Sequence, residues 1–132
     1  MEWIIDAFEC DAGRLCDLSL LRGVCDQVVI DLGLKVLGQP LAHQFPEPGG
    51  VTALYMLSES HLACHTYPEF RLATFNLYCC RARAPWDWSE QLRRHLGAGQ
   101  VETRQVARGI TAQQAHRLRL DSSGHANAEG MP

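Results

Sequence analysis

Between two apolar runs the chain reads Leu57-Ser58-Glu59-Ser60-His61-Leu62-Ala63-Cys64-His65-Thr66-Tyr67-Pro68-Glu69, and Cys79-Cys80 follows ten residues later. Hydroxyl, imidazole, carboxylate and thiol groups therefore share one short region. Reactive side chains held between rigid strands are what a catalytic site requires, because the scaffold fixes their geometry. If residues 61–65 are extended, His61, Ala63 and His65 share a face beside the Ser60 hydroxyl. A thiol arriving from a neighbouring strand then completes a set of nucleophile, base and acid. The same residues also suit structural duties: Ser60 capping a turn, His65 bonding a loop carbonyl, Cys80 filling a core as a small hydrophobe.

The elements that must position these groups follow from periodicity. Residues 3–8 read as a short strand, and residues 9–13 as a turn out of it. From Asp17 to Leu32 the residues Leu18, Leu21, Val24, Cys25, Val28, Val29 and Leu32 recur at helical spacing, with Gly33 as a stop. Residues 34–45 read as a strand, clearest at Lys35-Val36-Leu37, and Pro46-Glu47-Pro48-Gly49-Gly50 as a loop. Residues 51–57 and 71–80 are strands; in the second, Ala73, Phe75, Leu77 and Cys79 alternate with Thr74, Asn76, Tyr78 and Cys80. This parity makes Cys79 the core cysteine and gives Cys80 a different environment. Pro85 opens a helix running to Leu96 with Gly97 as its stop, and residues 101–106 make a last strand. The order β-α-β-β-β-α-β, with few crossovers, predicts an α+β two-layer sandwich: an antiparallel sheet with helices on one face.

Composition narrows the function. At 132 residues the chain is expected to be one domain. It spans residues 1–109, and the small polar residues of 110–132 form a flexible C-terminal tail. Its 15 acidic and 12 basic residues, net charge −3, lie without long runs, so neither a nucleic-acid groove nor a polybasic membrane patch is expected. The apolar runs fall far short of the roughly 20 residues that span a bilayer, and Met1-Glu2-Trp3 is not a basic leader, so a soluble cytoplasmic protein is expected. The six cysteines then read as reduced thiols. No CxxC pair occurs, so no metal is expected, although His61 and His65 near Cys79 and Cys80 leave that alternative open. A single lysine, Lys35, and no glycine-rich phosphate loop argue against pyridoxal phosphate.

The run from Glu59 to Glu69 resembles the ESHxxxHTWPE signature of the prokaryotic S-adenosylmethionine decarboxylase proenzymes. The likeness extends to Gly50-Val51-Thr52-Ala53, to the strand ending at Cys80 and to Phe8-Glu9-Cys10-Asp11, covering about residues 3 to 108. The resemblance implies the two-layer fold of that family and a pyruvoyl enzyme made by self-cleavage. The residue matching its nucleophile, Ser60, attacks the carbonyl of Glu59, and β-elimination then leaves a β chain of 1–59 and an α chain of 60–132 that begins with the pyruvoyl group. His65 matches the base in that elimination, a role that suits an imidazole. A keto group in Schiff-base linkage with the substrate amine would take up the electrons left by CO2. Cys80 matches the acid that returns a proton, and a thiol of pKa about 8.5 is mostly protonated at neutrality.

Softer correspondences complete the set. Thr52 stands where the family usually has a serine that assists processing. Tyr67 replaces the usual tryptophan and, with Phe45, implies a sandwich for an adenine ring or a face for a sulfonium cation. Glu69 resembles the acid that binds ribose hydroxyls. The implied function is decarboxylation of S-adenosylmethionine for spermidine biosynthesis by a homodimer with sites at or near its interface. Alternatives are a pyruvoyl decarboxylase of ornithine or arginine, since the Trp-to-Tyr change sits where the nucleoside should be read, and an uncleaved, non-catalytic homologue.

Overall fold

A computed structural model of the protein describes residues 1–81 and 83–109 and, beyond these, His116, Arg117 and Leu120. The tail expected over 110–132 otherwise lies outside the described residues. In chain order the elements are β1 (Glu2–Phe8), α1 (Ala12–Leu15), α2 (Leu18–Asp31), β2 (Leu41–Gln44), β3 (Val51–Leu57), β4 (Ser60–Tyr67), a 3-10 turn (Pro68–Phe70), β5 (Leu72–Cys79), α3 (Trp88–Leu96) and β6 (Gln100–Val106). The strands form one sheet in the order β2-β3-β4-β5-β1-β6, every pair antiparallel. The expected α+β sandwich is the observed architecture.

Both longer helices stop where the sequence predicts, whereas α3 starts at Trp88 rather than at Pro85 because Asp87 caps it. The Asp17 carboxylate accepts the Leu20 N–H at 3.1 Å to start α2, and Asp87 accepts the Glu90 N–H at 3.2 Å to start α3. Gly33 and Gly97 stop them at positive φ, 63° and 67°. α2 buries Leu21, Val24, Cys25 and Val28, and α3 buries Trp88, Leu92 and Leu96. These meet the inward residues of the sheet, among them Ile5, Tyr55, Leu62, Phe75 and Leu77, in one core. Each such large side chain fully removed from water contributes about 1.5–3 kcal/mol.

The other face of the sheet is open. It carries Thr52, Leu54 and Met56 from β3, His61, Ala63 and His65 from β4, and Thr74, Asn76 and Tyr78 from β5. Leu54 and Met56 remain 45% and 63% exposed.

Three further expectations need correction. The motif is itself a strand: β4 makes the sheet six-stranded rather than five, because Leu62, Cys64 and Thr66 alternate inward beneath its reactive residues. The strand expected over 34–45 is confined to Leu41–Gln44, with a single bridge from Val36 to Leu57. Gly38 at φ 70° and Pro40 break the rest. Finally, the turn expected over 9–13 gives way at Ala12 to the four-residue α1, capped by Asp11 at the Arg14 N–H.

Candidate active site

Ser60 follows a two-residue hairpin connection, Ser58-Glu59, closed by the pairing of Leu57 with Ser60. Such connections ordinarily place positive φ on Gly or Asn. Neither is present, and Ser60 itself adopts φ 123°. A non-glycine residue held there stores about 1–3 kcal/mol of strain. Strand parity would aim Ser60 at the helices with Leu62 and Cys64; its distorted backbone sets it apart, and it stays partly exposed.

The carbonyl preceding Ser60 is held in place. Glu59 O accepts the Cys80 N–H at 3.0 Å. The Glu59 carboxylate is gripped by Arg83, whose Nε donates to Oε2 at 3.0 Å and whose Nη2 engages Oε1. Cys80 is exposed just beyond β5, whereas Cys79, which pairs with Ser60, is buried and burial pushes its thiol pKa up. Ser60, Glu59 and Cys80 therefore form one group, with Arg83 as a member that sequence reasoning missed. The sequence signal for it was the Arg81-Ala82-Arg83 run directly after the thiol pair.

A second group lies at the other end of β4. Thr52 and His65 face each other across β3 and β4, with Thr52 Oγ1 3.0 Å from His65 Nδ1. If Nδ1–H donates to the hydroxyl, Nε2 is left as the accepting nitrogen, the state a base needs. Both line a cavity of about 290 Å³ with Phe45, Tyr67 and Glu69, so the residues expected to bind substrate do converge. Phe45 and Tyr67 are 51% and 39% exposed, and the Phe45 ring meets His43 edge-on at 4.7 Å between centroids. Thr66 fixes the cavity from below: its hydroxyl accepts the Val51 N–H at 2.8 Å and donates to the Leu15 carbonyl at 2.7 Å. Gly50 packs so closely that a Cβ there would sit 2.5 Å from the Thr66 carbonyl oxygen, which forbids any side chain.

The two groups do not meet within one chain. His65 lies five residues along β4 from Ser60, a separation of about 16 Å at strand rise. His61, next to Ser60, is engaged elsewhere: its Nε2 lies 2.7 Å from Asn76 Oδ1, and its ring meets Tyr78 edge-on. Asn76 in turn donates to Glu2, and Arg108 donates to the same carboxylate. Both bonds hold its pKa below the usual range, Arg108 the more strongly. Among the described residues no three His, Cys, Asp or Glu side chains gather as a metal site.

The sequence model of the family described as S-adenosylmethionine decarboxylase matches residues 1–109. The chain belongs to that family. A relative from Caldanaerobacter subterraneus subsp. tengcongensis, named S-adenosylmethionine decarboxylase proenzyme, is 31% identical over 108 residues, covering 81% of this chain and 86% of its own. A proenzyme of the same name from Prochlorococcus marinus is 36% identical over 96 residues, covering 72% and 75%. Among solved structures, the adenosylmethionine decarboxylase from Aquifex aeolicus superposes with a TM-score of 0.67 at 24% identity, covering 85% of this chain and 92% of that one. This last likeness bears on the fold alone.

Proposed function

We propose that this chain, a member of the S-adenosylmethionine decarboxylase family, cleaves itself between Glu59 and Ser60 and then decarboxylates S-adenosylmethionine, supplying an aminopropyl donor for spermidine biosynthesis. The observation that carries the reading is the Glu59 carbonyl held by the Cys80 N–H directly before a strained Ser60. A backbone donor there favours the oxyanion that forms when the carbonyl is attacked, and breaking the peptide relieves the strain at residue 60.

Ser60 Oγ bonds to the Glu59 carbonyl carbon, the C–N bond breaks, and the Ser60 nitrogen becomes an amine. The His65 imidazole removes the Ser60 α-proton, the Cβ–O bond breaks, and Glu59 leaves as a carboxylate. Water then displaces ammonia from the unsaturated residue 60, leaving a ketone. A pyruvoyl carbonyl at residue 60 supplies the electron sink that decarboxylation needs. Cys80, exposed beside it, delivers a proton to the substrate α-carbon, and the cavity between Phe45, Tyr67 and Glu69 receives the nucleoside.

The roughly 16 Å between Ser60 and His65 bears directly on assembly. The working unit is a homodimer in which Ser60 and Cys80 of one protomer meet His65, Thr52 and the cavity of its partner. The open sheet face, with Leu54 and Met56 exposed, is the surface that such a dimer buries. Residues 1–109 form the unit that carries this chemistry. No described helix is long and apolar enough to cross a membrane, and a cytoplasmic location suits a substrate made there.

Labelled CO2 release from carboxyl-labelled S-adenosylmethionine, ornithine and arginine tests the reading. Release from S-adenosylmethionine alone is expected. Release from ornithine or arginine alone moves the activity to a basic amino acid, the possibility that Tyr67 raises. Release from none, with the chain intact, leaves a non-catalytic homologue.

A further inference from the structure

Four ion pairs occur among the described residues, and the Arg83–Glu59 pair is set apart by shelter. Its side chains are 25% and 13% exposed, whereas the arginines of the other three are 55% exposed or more. It is also two-pronged, with Nε and Nη2 each meeting one carboxylate oxygen, a geometry that a guanidinium supplies and an ammonium does not. Around a half-buried pair of this kind the carboxylate has little freedom.

What is held is the residue whose carbonyl must be attacked. Glu59 is the last residue of the two-residue turn, and the adjoining Ser58 N–H donates to the Lys35 carbonyl at 2.9 Å. The Glu59 carbonyl is fixed by the Cys80 N–H, and its side chain by Arg83 three residues further on. Two anchors on one residue, drawn from the same segment after β5, fix the plane of the peptide that follows. Rotation about the Glu59 backbone would swing the carbonyl carbon away from Ser60 Oγ. Displacements of about 1 Å in such an approach cost about a hundredfold in rate.

We infer that Arg83 is a positioning residue for self-cleavage: its two-pronged grip on the Glu59 side chain holds the scissile carbonyl against the Cys80 N–H for attack by Ser60. The inference rests on the self-cleavage proposed above. Arg83 forms and breaks no bond itself. The step it assists is the shift of the Glu59 acyl carbon from the Ser60 nitrogen to the Ser60 oxygen, with the proton of the hydroxyl ending on the amine.

Pulse-chase synthesis of the full chain, read on denaturing gels and by intact mass, tests it with Arg83→Ala, Arg83→Lys, Glu59→Gln and the Arg83→Ala/Glu59→Gln double variant. Arg83→Ala is expected to slow the appearance of fragments about tenfold or more, with Arg83→Lys recovering part of the rate. Glu59→Gln should be equally slow and the double variant no slower than either single one, because both changes remove one interaction. Hydroxylamine, which intercepts an ester once formed, should not restore the rate of Arg83→Ala. Cleavage of Arg83→Ala at the wild-type rate, multiplicative effects in the double variant, or full rescue by hydroxylamine would each overturn the inference. If Arg83→Ala lacks the helical circular dichroism of the wild type, Arg83→Lys and Glu59→Gln, which keep the size of the side chains, decide between the same outcomes. A wild-type chain that never cleaves defeats the proposed function itself; a wild-type chain that cleaves beside an unaffected Arg83→Ala defeats this inference alone.

Discussion

Ser60 combines a hydroxyl, a left-handed backbone and a carbonyl neighbour already bonded to an N–H, and its substitution has the sharpest expected effect. Ser60→Ala should remain a single species of full length on denaturing gels. Cys80→Ala should still yield two fragments, with turnover of S-adenosylmethionine lowered about 10²–10⁴-fold for loss of a positioned acid; steady-state kinetics on the cleaved protein check it. Thr52→Val removes the hydroxyl beside His65 Nδ1 and should slow cleavage about tenfold, while Thr52→Ser preserves it. The burial of Cys79 and the exposure of Cys80 were legible in strand parity, because a period of two is a property of the sequence itself. Arg83 was not. Its meeting with Glu59, 24 positions earlier, depends on how β4 pairs with β5, and no local pattern encodes that register. The left-handed φ of Ser60 was equally hidden, since serine carries no preference for it.

At the level of elements, α2 is tied to the sheet by more than apolar contact. The Tyr55 hydroxyl on β3 donates to Asp26 Oδ1 at 2.6 Å and to the Arg22 carbonyl at 3.2 Å. Burial first, and the Asp26 bond second, push the phenol well above its ordinary range. A phenol whose pKa rises on folding contributes stability in full below the unfolded value of about 10 and loses it as pH climbs beyond that. Tyr55→Phe should therefore cost about 1.5–3 kcal/mol near neutrality and flatten the decline in stability toward about pH 11, as urea midpoints at the two pH values would reveal. The two helices were legible in the spacing of their apolar residues and in Gly33 and Gly97 at their stops, while the Asp87 cap sets the start of α3 at Trp88, three residues past Pro85. β4 was not legible as a strand because its outward His61 and His65 interrupt the apolar run, and its inward face mixes Leu62 with the less distinctive Cys64 and Thr66. The strand expected over 34–45 failed for the opposite reason: its apolar residues read as β while Gly38 and Pro40 forbade the continuous pairing.

For the molecule as a whole, one sheet face is buried under helices, the open face carries the His65 half of a site, and the Ser60 half lies at the far end of β4 about 16 Å away. A dimer that joins the halves in trans makes a prediction that a self-contained chain does not. Ser60→Ala and His65→Ala chains, each uncleaved alone, should complement when mixed or co-expressed with different tags. The His65→Ala chain is then cleaved, because its Ser60 meets the partner's His65, while the Ser60→Ala chain stays whole. Tagged fragments on a denaturing gel would show this; no cleavage in the mixture would place the whole site within one chain. The self-cleavage on which all of this depends is tested most directly by the intact mass of the purified wild-type chain. The account predicts two species, residues 1–59 ending in a free Glu59 carboxylate and residues 60–132 beginning with a ketone that borohydride reduces. A single species of 132 residues, unchanged on prolonged incubation, would contradict it.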